Sequence, residues 1–215
     1  MTVRLAMIPD DDSLFLRLEC EQYRKTWHAH QRKLLAGFES VTGLTFQQRF
    51  ITARVTQSQV STAGRPGVPM RLAGDYRSAE FKLMTLVHEL SHRLLGGNTL
   101  GPVGLGLDTG EGAQTDWGVE IEHRHIYLFE WDVVRHALGD EWAEVCRVYE
   151  TGGQQEPKAT PHGRAWHWAM TRSADERQKA VRRLVAQAVT RNDWSSLPDQ
   201  VEPRDPDTWF AYLLA

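Results

Sequence analysis

The stretch FKLMTLVHELSHRLLGG, residues 81–97, is apolar on nearly every helical face and carries two histidines four residues apart. Phe81, Thr85, His88, His92 and Leu95 fall on one stripe, while Met84, Val87, Leu90 and Leu94 cover much of the rest. A helix starting near Ser78 and stopping at the Gly96–Gly97 pair must therefore lie inside the molecule, with other elements built around it. This constrains the chemistry as well as the fold. Buried imidazoles need polar partners. Side chains at i and i+4 share a face, so His88 and His92 can present nitrogens to a single ion. Glu89 sits about 100° further round the helix, where a carboxylate can reach a water held at that ion without ligating it.

The flanking sequence supplies the other elements. Residues 12–41 hold no Gly or Pro before Gly37 and read as one long helix or two. LTFQQRFITARVTQSQV alternates loosely and is rich in β-branched residues, which predicts a strand; VPMRLAGDY predicts a shorter one, placed at an edge by Pro69. Only residues 44–73 carry a strand-like pattern. After the Gly-rich segment GNTLGPVGLGLDTGEGAQTD, which lacks a phosphate-loop ending, the run 116–138 is helical up to Gly139. DEWAEVCRVYE, HGRAWHWAMTR and SADERQKAVRRLVAQAVTR predict further helices, the last opened by Ser173 and Glu176 at capping-box spacing. A Pro- and Asp-rich tail follows. The expected fold class is α+β, mainly helical, with a small N-terminal sheet packed on the motif helix. A single domain is expected over 1–215: a helical segment at 1–43, sheet and site helices at 44–138, a helical lobe at 139–194, and an extended tail at 195–215.

Composition narrows the partners. Lys plus Arg number 25 against 28 Asp plus Glu, so a net charge of −3 gives no general attraction to nucleic acid or anionic membrane. The basic residues Arg172, Arg177, Lys179, Arg182 and Arg183 read as a solvated helix face. No window approaches the roughly 18 apolar residues of a membrane span, and the N-terminus lacks the form of a secretory signal. Cys20 and Cys146 have neither metal-finger nor disulfide-framework spacing. A cytoplasmic location is expected, and the eight Trp are read as helix packing.

LVHELSH, following a β-rich segment, resembles the active-site helix of the zincin metallopeptidases. The metzincin extension would place Gly at 95 and His at 98, where this chain has Leu95 and Asn98. The resemblance is thus gluzincin-like, and it implies a glutamate ligand from a second helix. Within 116–138, Val119, Glu122, Ile126, Phe129 and Val133 form an apolar stripe that Glu122 interrupts, whereas Glu120, His123, Tyr127 and Glu130 share a more polar neighbouring face. Glu122 is the expected third ligand, and a salt-bridged surface role fits Glu120 and Glu130. A rival remains. ATPHGRAWHWAM resembles the segment of SprT-like proteases whose histidine, here His162, is the third ligand. His123 is a further alternative.

The resemblance implies Zn2+ held by His88, His92 and Glu122, with Glu89 as general base on the zinc-bound water and a peptide or protein as substrate. Tyr127 and His162, with His125 as another option, are candidates to stabilise the developing negative oxygen. A substrate strand could pair with the edge near 68–73. Two other readings stand beside this one. The first is a non-catalytic zincin-like module with a structural metal or a partner-binding role; the second is a SprT-like DNA-associated protease.

Overall fold

In the computed structural model, residues 3–58, 61–63, 68–75, 77–98, 116–153 and 160–189 are described. A first strand, β1 (Arg4–Pro9), leads into the long helix α1 (Leu14–Thr42). Ser13 caps α1 by accepting the Leu16 N–H, and Gly43 ends it at φ +71°, a left-handed turn in which a Cβ would be strained. The predicted helical segment is one helix because Gly37 is a packing residue rather than a stop. A Cβ there would lie 3.1 Å from the Ala137 Cβ and 3.2 Å from the Val133 carbonyl oxygen.

Strands β2 (Phe50–Thr56) and β3 (Met70–Ala73) complete a parallel sheet in the order β1-β2-β3, with Arg4 opposite Phe50 and Ala53 opposite Met70. The sequence reading missed β1. Its six residues carry little alternation and only Met7 is buried, so parallel pairing with β2 makes it a strand. As expected, β3 is an edge, but it is closed. Thr62 and Arg71 exchange both backbone hydrogen bonds, the Ala73 N–H donates to Ser61 Oγ, and the Ala73 carbonyl accepts from the Tyr23 hydroxyl. A substrate strand therefore finds the main-chain groups of Arg71 and Ala73 already used.

Helix α2 (Ala79–Gly97) is capped by Ser78 and buried over most of its length, as its all-round apolar sequence requires. Helices α3 (Asp116–Tyr127), α4 (Glu130–Leu138), α5 (Asp140–Thr151), α6 (Pro161–Met170) and α7 (Ala174–Val189) follow. The run 116–138 breaks at Leu128–Phe129, where the Phe129 N–H reaches back to the Ile126 carbonyl in a tight turn. Ser173 and Glu176 form the expected capping box. Arg177 is not part of a solvated basic face: it is buried in a two-pronged pair with Asp132.

One core joins both sides of the molecule, running from Met7 and Ile51 in the sheet through Leu86 and Leu90 of α2 to Ile126, Val133 and Ala169. The fold is α+β and mostly helical, with a small parallel sheet. Among the described residues no helix is long and apolar enough to cross a membrane. Residues 99–115 of the Gly-rich segment and the tail beyond 189 lie outside the described residues.

Candidate metal centre

Four helices converge on the second half of α2. α2 brings His88, Glu89 and His92, α3 brings Glu122, His123 and Tyr127, α5 brings Glu150, and α6 brings His162; Glu130 opens α4 immediately after the break. One ring nitrogen from each of His88, His92 and His123 lies within 4.8 Å of the others. The Nε2 atoms of His88 and His92 are 3.3 Å apart. Tetrahedral ligands at the usual Zn–N length of about 2.0–2.1 Å would sit about 3.3–3.4 Å apart. His123 stacks on His88 at a centroid distance of 5.2 Å and meets His92 edge-on at 5.1 Å.

The far nitrogen of each ring is tied down. His88 Nδ1 lies 3.1 Å from Glu150 Oε1 and 3.3 Å from Glu130 Oε2. His92 Nδ1 is 3.0 Å from Glu122 Oε1, and His123 Nδ1 donates to the Val119 carbonyl at 2.7 Å. Such contacts fix the ring orientation and the tautomer, leaving Nε2 as the lone-pair donor. This donor set fits a divalent ion. One nitrogen from each of the three imidazoles lies close to the other two, with the His88 and His92 pair at hydrogen-bond distance, so a single ion could replace that contact.

Charge in the cluster follows from burial and neighbours. Burial alone would lower His88, yet Glu150 and Glu130 raise it well above the usual histidine range. In the metal-free molecule a proton on His88 thus stands where a cation would. Burial and the charge of His88 push His123 far down, and burial also lowers His92 and His162. Neutral imidazoles are the form that ligates. Burial pushes Glu89 up to about 7, so near neutrality it can both take and give a proton. Burial raises Glu130, while Glu150 beside it stays anionic, held by His88 and the Tyr127 hydroxyl.

The expected residues divide into three sets. His88, His92 and Glu89 stand together on α2 as the sequence implied. Glu122 is at the cluster but behind His92, and the third converging nitrogen belongs to His123. Helix packing explains this difference. α3 is covered by both α2 and α6, so its polar face, with Glu120, His123 and Tyr127, is an inward one, and Glu130 at the start of α4 is buried as well. Glu130 is therefore no surface glutamate. Glu120 is salt-bridged as expected but buried, and it joins Arg124 of α3 to Arg164 of α6 at 2.5 and 2.6 Å. That link brings α6 against α3, with the His162 ring 3.9 Å from that of His123.

Tyr127 donates its proton to Glu150 Oε2 at 2.5 Å, and its oxygen lies 3.3 Å from His162 Nδ1. With that proton committed, the His162 Nδ1–H is the donor to the tyrosine oxygen, so neither residue holds a spare proton toward the three nitrogens. His125 stays outside the group of three. Glu150 was missed by the sequence reading. It ends the DEWAEVCRVYE helix, and its only sequence signal is a helical step from the buried Cys146. In comparisons with known proteins, the chain matches no family model, no curated protein and no solved structure.

Proposed function

We propose that this chain is a zinc-dependent hydrolase of the zincin type acting on peptide bonds, with His88, His92 and His123 as metal ligands and Glu89 as general base. One observation carries the reading: a nitrogen from each of three imidazoles, two buried and one partly buried, lies near the others while each Nδ1 is held from behind. A Zn2+ ion bound there supplies Lewis acidity and makes water acidic enough to lose a proton near neutral pH. The chain's own residues do the rest. Glu122 and the Glu150–Glu130 pair orient His92 and His88, and the Val119 carbonyl orients His123. Glu89 accepts the water proton and delivers it to the leaving amine, a shuttle suited to a buried carboxyl beside the water. Tyr127 and His162 act by positioning: Tyr127 stabilises anionic Glu150, and His162 braces Tyr127.

The intact Glu89 favours an enzyme over a module with a purely structural metal, because a site that only binds has no use for a buried proton acceptor beside it. The test combines metal analysis with peptide hydrolysis. His123→Ala is expected to lose zinc and Glu122→Ala to retain it with weakened affinity, the reverse of the gluzincin-like scheme. Glu89→Gln is expected to keep zinc and lose hydrolysis. Undiminished turnover by Glu89→Gln would overturn the reading.

A further inference from the structure

His88 has more carboxylate behind it than orienting one imidazole requires. Its Nδ1 carries one proton, and Glu150 Oε1 at 3.1 Å takes it. Glu130 Oε2, 3.3 Å from the same nitrogen, is left fully buried with no hydrogen-bond partner. The remaining oxygens are engaged: Glu150 Oε2 by the Tyr127 hydroxyl, and Glu130 Oε1 by the Cys146 thiol at 4.0 Å. The neighbouring rings are served more sparingly, His92 by one carboxylate and His123 by one carbonyl. Two adjacent carboxyl groups out of water must either share a proton or take a cation between them. His88 Nδ1 and one oxygen each from Glu130 and Glu150 lie within 4.8 Å of one another, close enough for a single small ion to draw together.

We propose that His88, Glu130 and Glu150 form a second divalent-cation seat, joined to the first through the His88 ring. It rests on the three-histidine reading above, because His88 belongs to both seats. One ion meets Nε2 and the other meets Nδ1; as the second ion enters, the Nδ1 proton and the proton shared by the two carboxyl groups leave to solvent. The two carboxylate charges balance the incoming dication, while the orphaned Glu130 oxygen becomes a ligand. With two oxygens and one nitrogen, this seat suits a harder first-row dication than the all-nitrogen seat does.

Metal-free protein titrated with Co2+, followed by visible absorption and by metal analysis after gel filtration, tests the proposal. The wild type is expected to bind two equivalents. Glu130→Gln/Glu150→Gln is expected to bind one, and so is His92→Ala/His123→Ala. A single wild-type equivalent that survives in the double-Gln protein overturns the second seat; the carboxylates then only orient His88. A single wild-type equivalent lost in the double-Gln protein but kept by His92→Ala/His123→Ala instead overturns the three-histidine seat and leaves the carboxylate seat standing. No bound cobalt in the wild type overturns both. Circular dichroism reports whether each variant folds; two wild-type equivalents support the second seat even if one variant does not, and a single equivalent is assigned by whichever variant folds.

Discussion

Helix α2 buries charge at both ends, to opposite purpose. Near its start Lys82 is fully buried, 3.0 Å from Glu19 Oε2 and donating to the carbonyls of Asp75 at 2.9 Å and Arg77 at 2.7 Å. The ammonium group donates to two carbonyls of the turn after β3, and its charge faces the Glu19 carboxylate of α1. Two turns further on, His88 and His92 point nitrogens at each other and at His123. The first arrangement pairs its charge within the protein and pins sheet, turn and helix together. The second brings one nitrogen from each of three imidazoles together where a cation could sit. Burial of charge alone does not mark a candidate site. A gathering of ligand atoms does.

The largest expected effect breaks the ion-paired end. Lys82→Met leaves Glu19 buried without its counter-ion, which typically costs about 3–5 kcal/mol. Urea unfolding should show that loss, while the remaining folded protein binds zinc as before. Adding Glu19→Leu should restore much of the stability, because an apolar pair of similar volume removes the orphaned charge. Zinc loss in the folded Lys82→Met protein would mean that the two ends are coupled.

The histidine end should reveal itself through pH. In metal-free protein Glu89 titrates at about 7, above its ordinary value of 4.5. The folded state thus holds this proton more tightly than the unfolded state. That contribution is fully present below pH ~4.5 and disappears as pH rises through about 7, at most about 3 kcal/mol for this group. Glu89→Gln should remove this component, and metal-free Glu89→Gln should be more stable than metal-free wild type at pH 8. Equal pH slopes for the two proteins between 5 and 8 would contradict it.

A smaller effect tests the supports behind the rings. Replacing a carboxylate that orients a ligating histidine commonly weakens metal binding about 10- to 100-fold. Glu122→Gln should fall in that range by competition with a chromophoric chelator, without changing the stability of the metal-free protein. Glu120→Gln should do less. It loosens the Arg164 link between α6 and α3, so turnover should fall while zinc affinity stays within a few-fold. An equal loss of zinc in both variants would show that Glu120 supports the ligands as directly as Glu122 does.

The sequence by itself determined the motif helix: its burial, its caps and the common face of His88 and His92. Each follows from helical periodicity and neighbours at most four residues away. The same reasoning placed β2, β3 and the Ser173–Glu176 cap. It missed β1, because a short parallel strand is made by pairing with a distant segment. Only the tertiary structure decided what stands opposite α2. The stripe Val119–Glu122–Ile126 is apolar and suggests an inward Glu122, yet α3 is covered on two sides and the polar stripe holding His123 is buried as well. Periodicity finds which residues share a face, but it cannot say how many faces are covered. Glu150 comes from a helix that nothing in the local sequence connects to His88, since a lone carboxylate looks the same in solvent as behind a ligand. Packing among α2, α3, α5 and α6 makes that distinction, because burial decides which charges must find a partner.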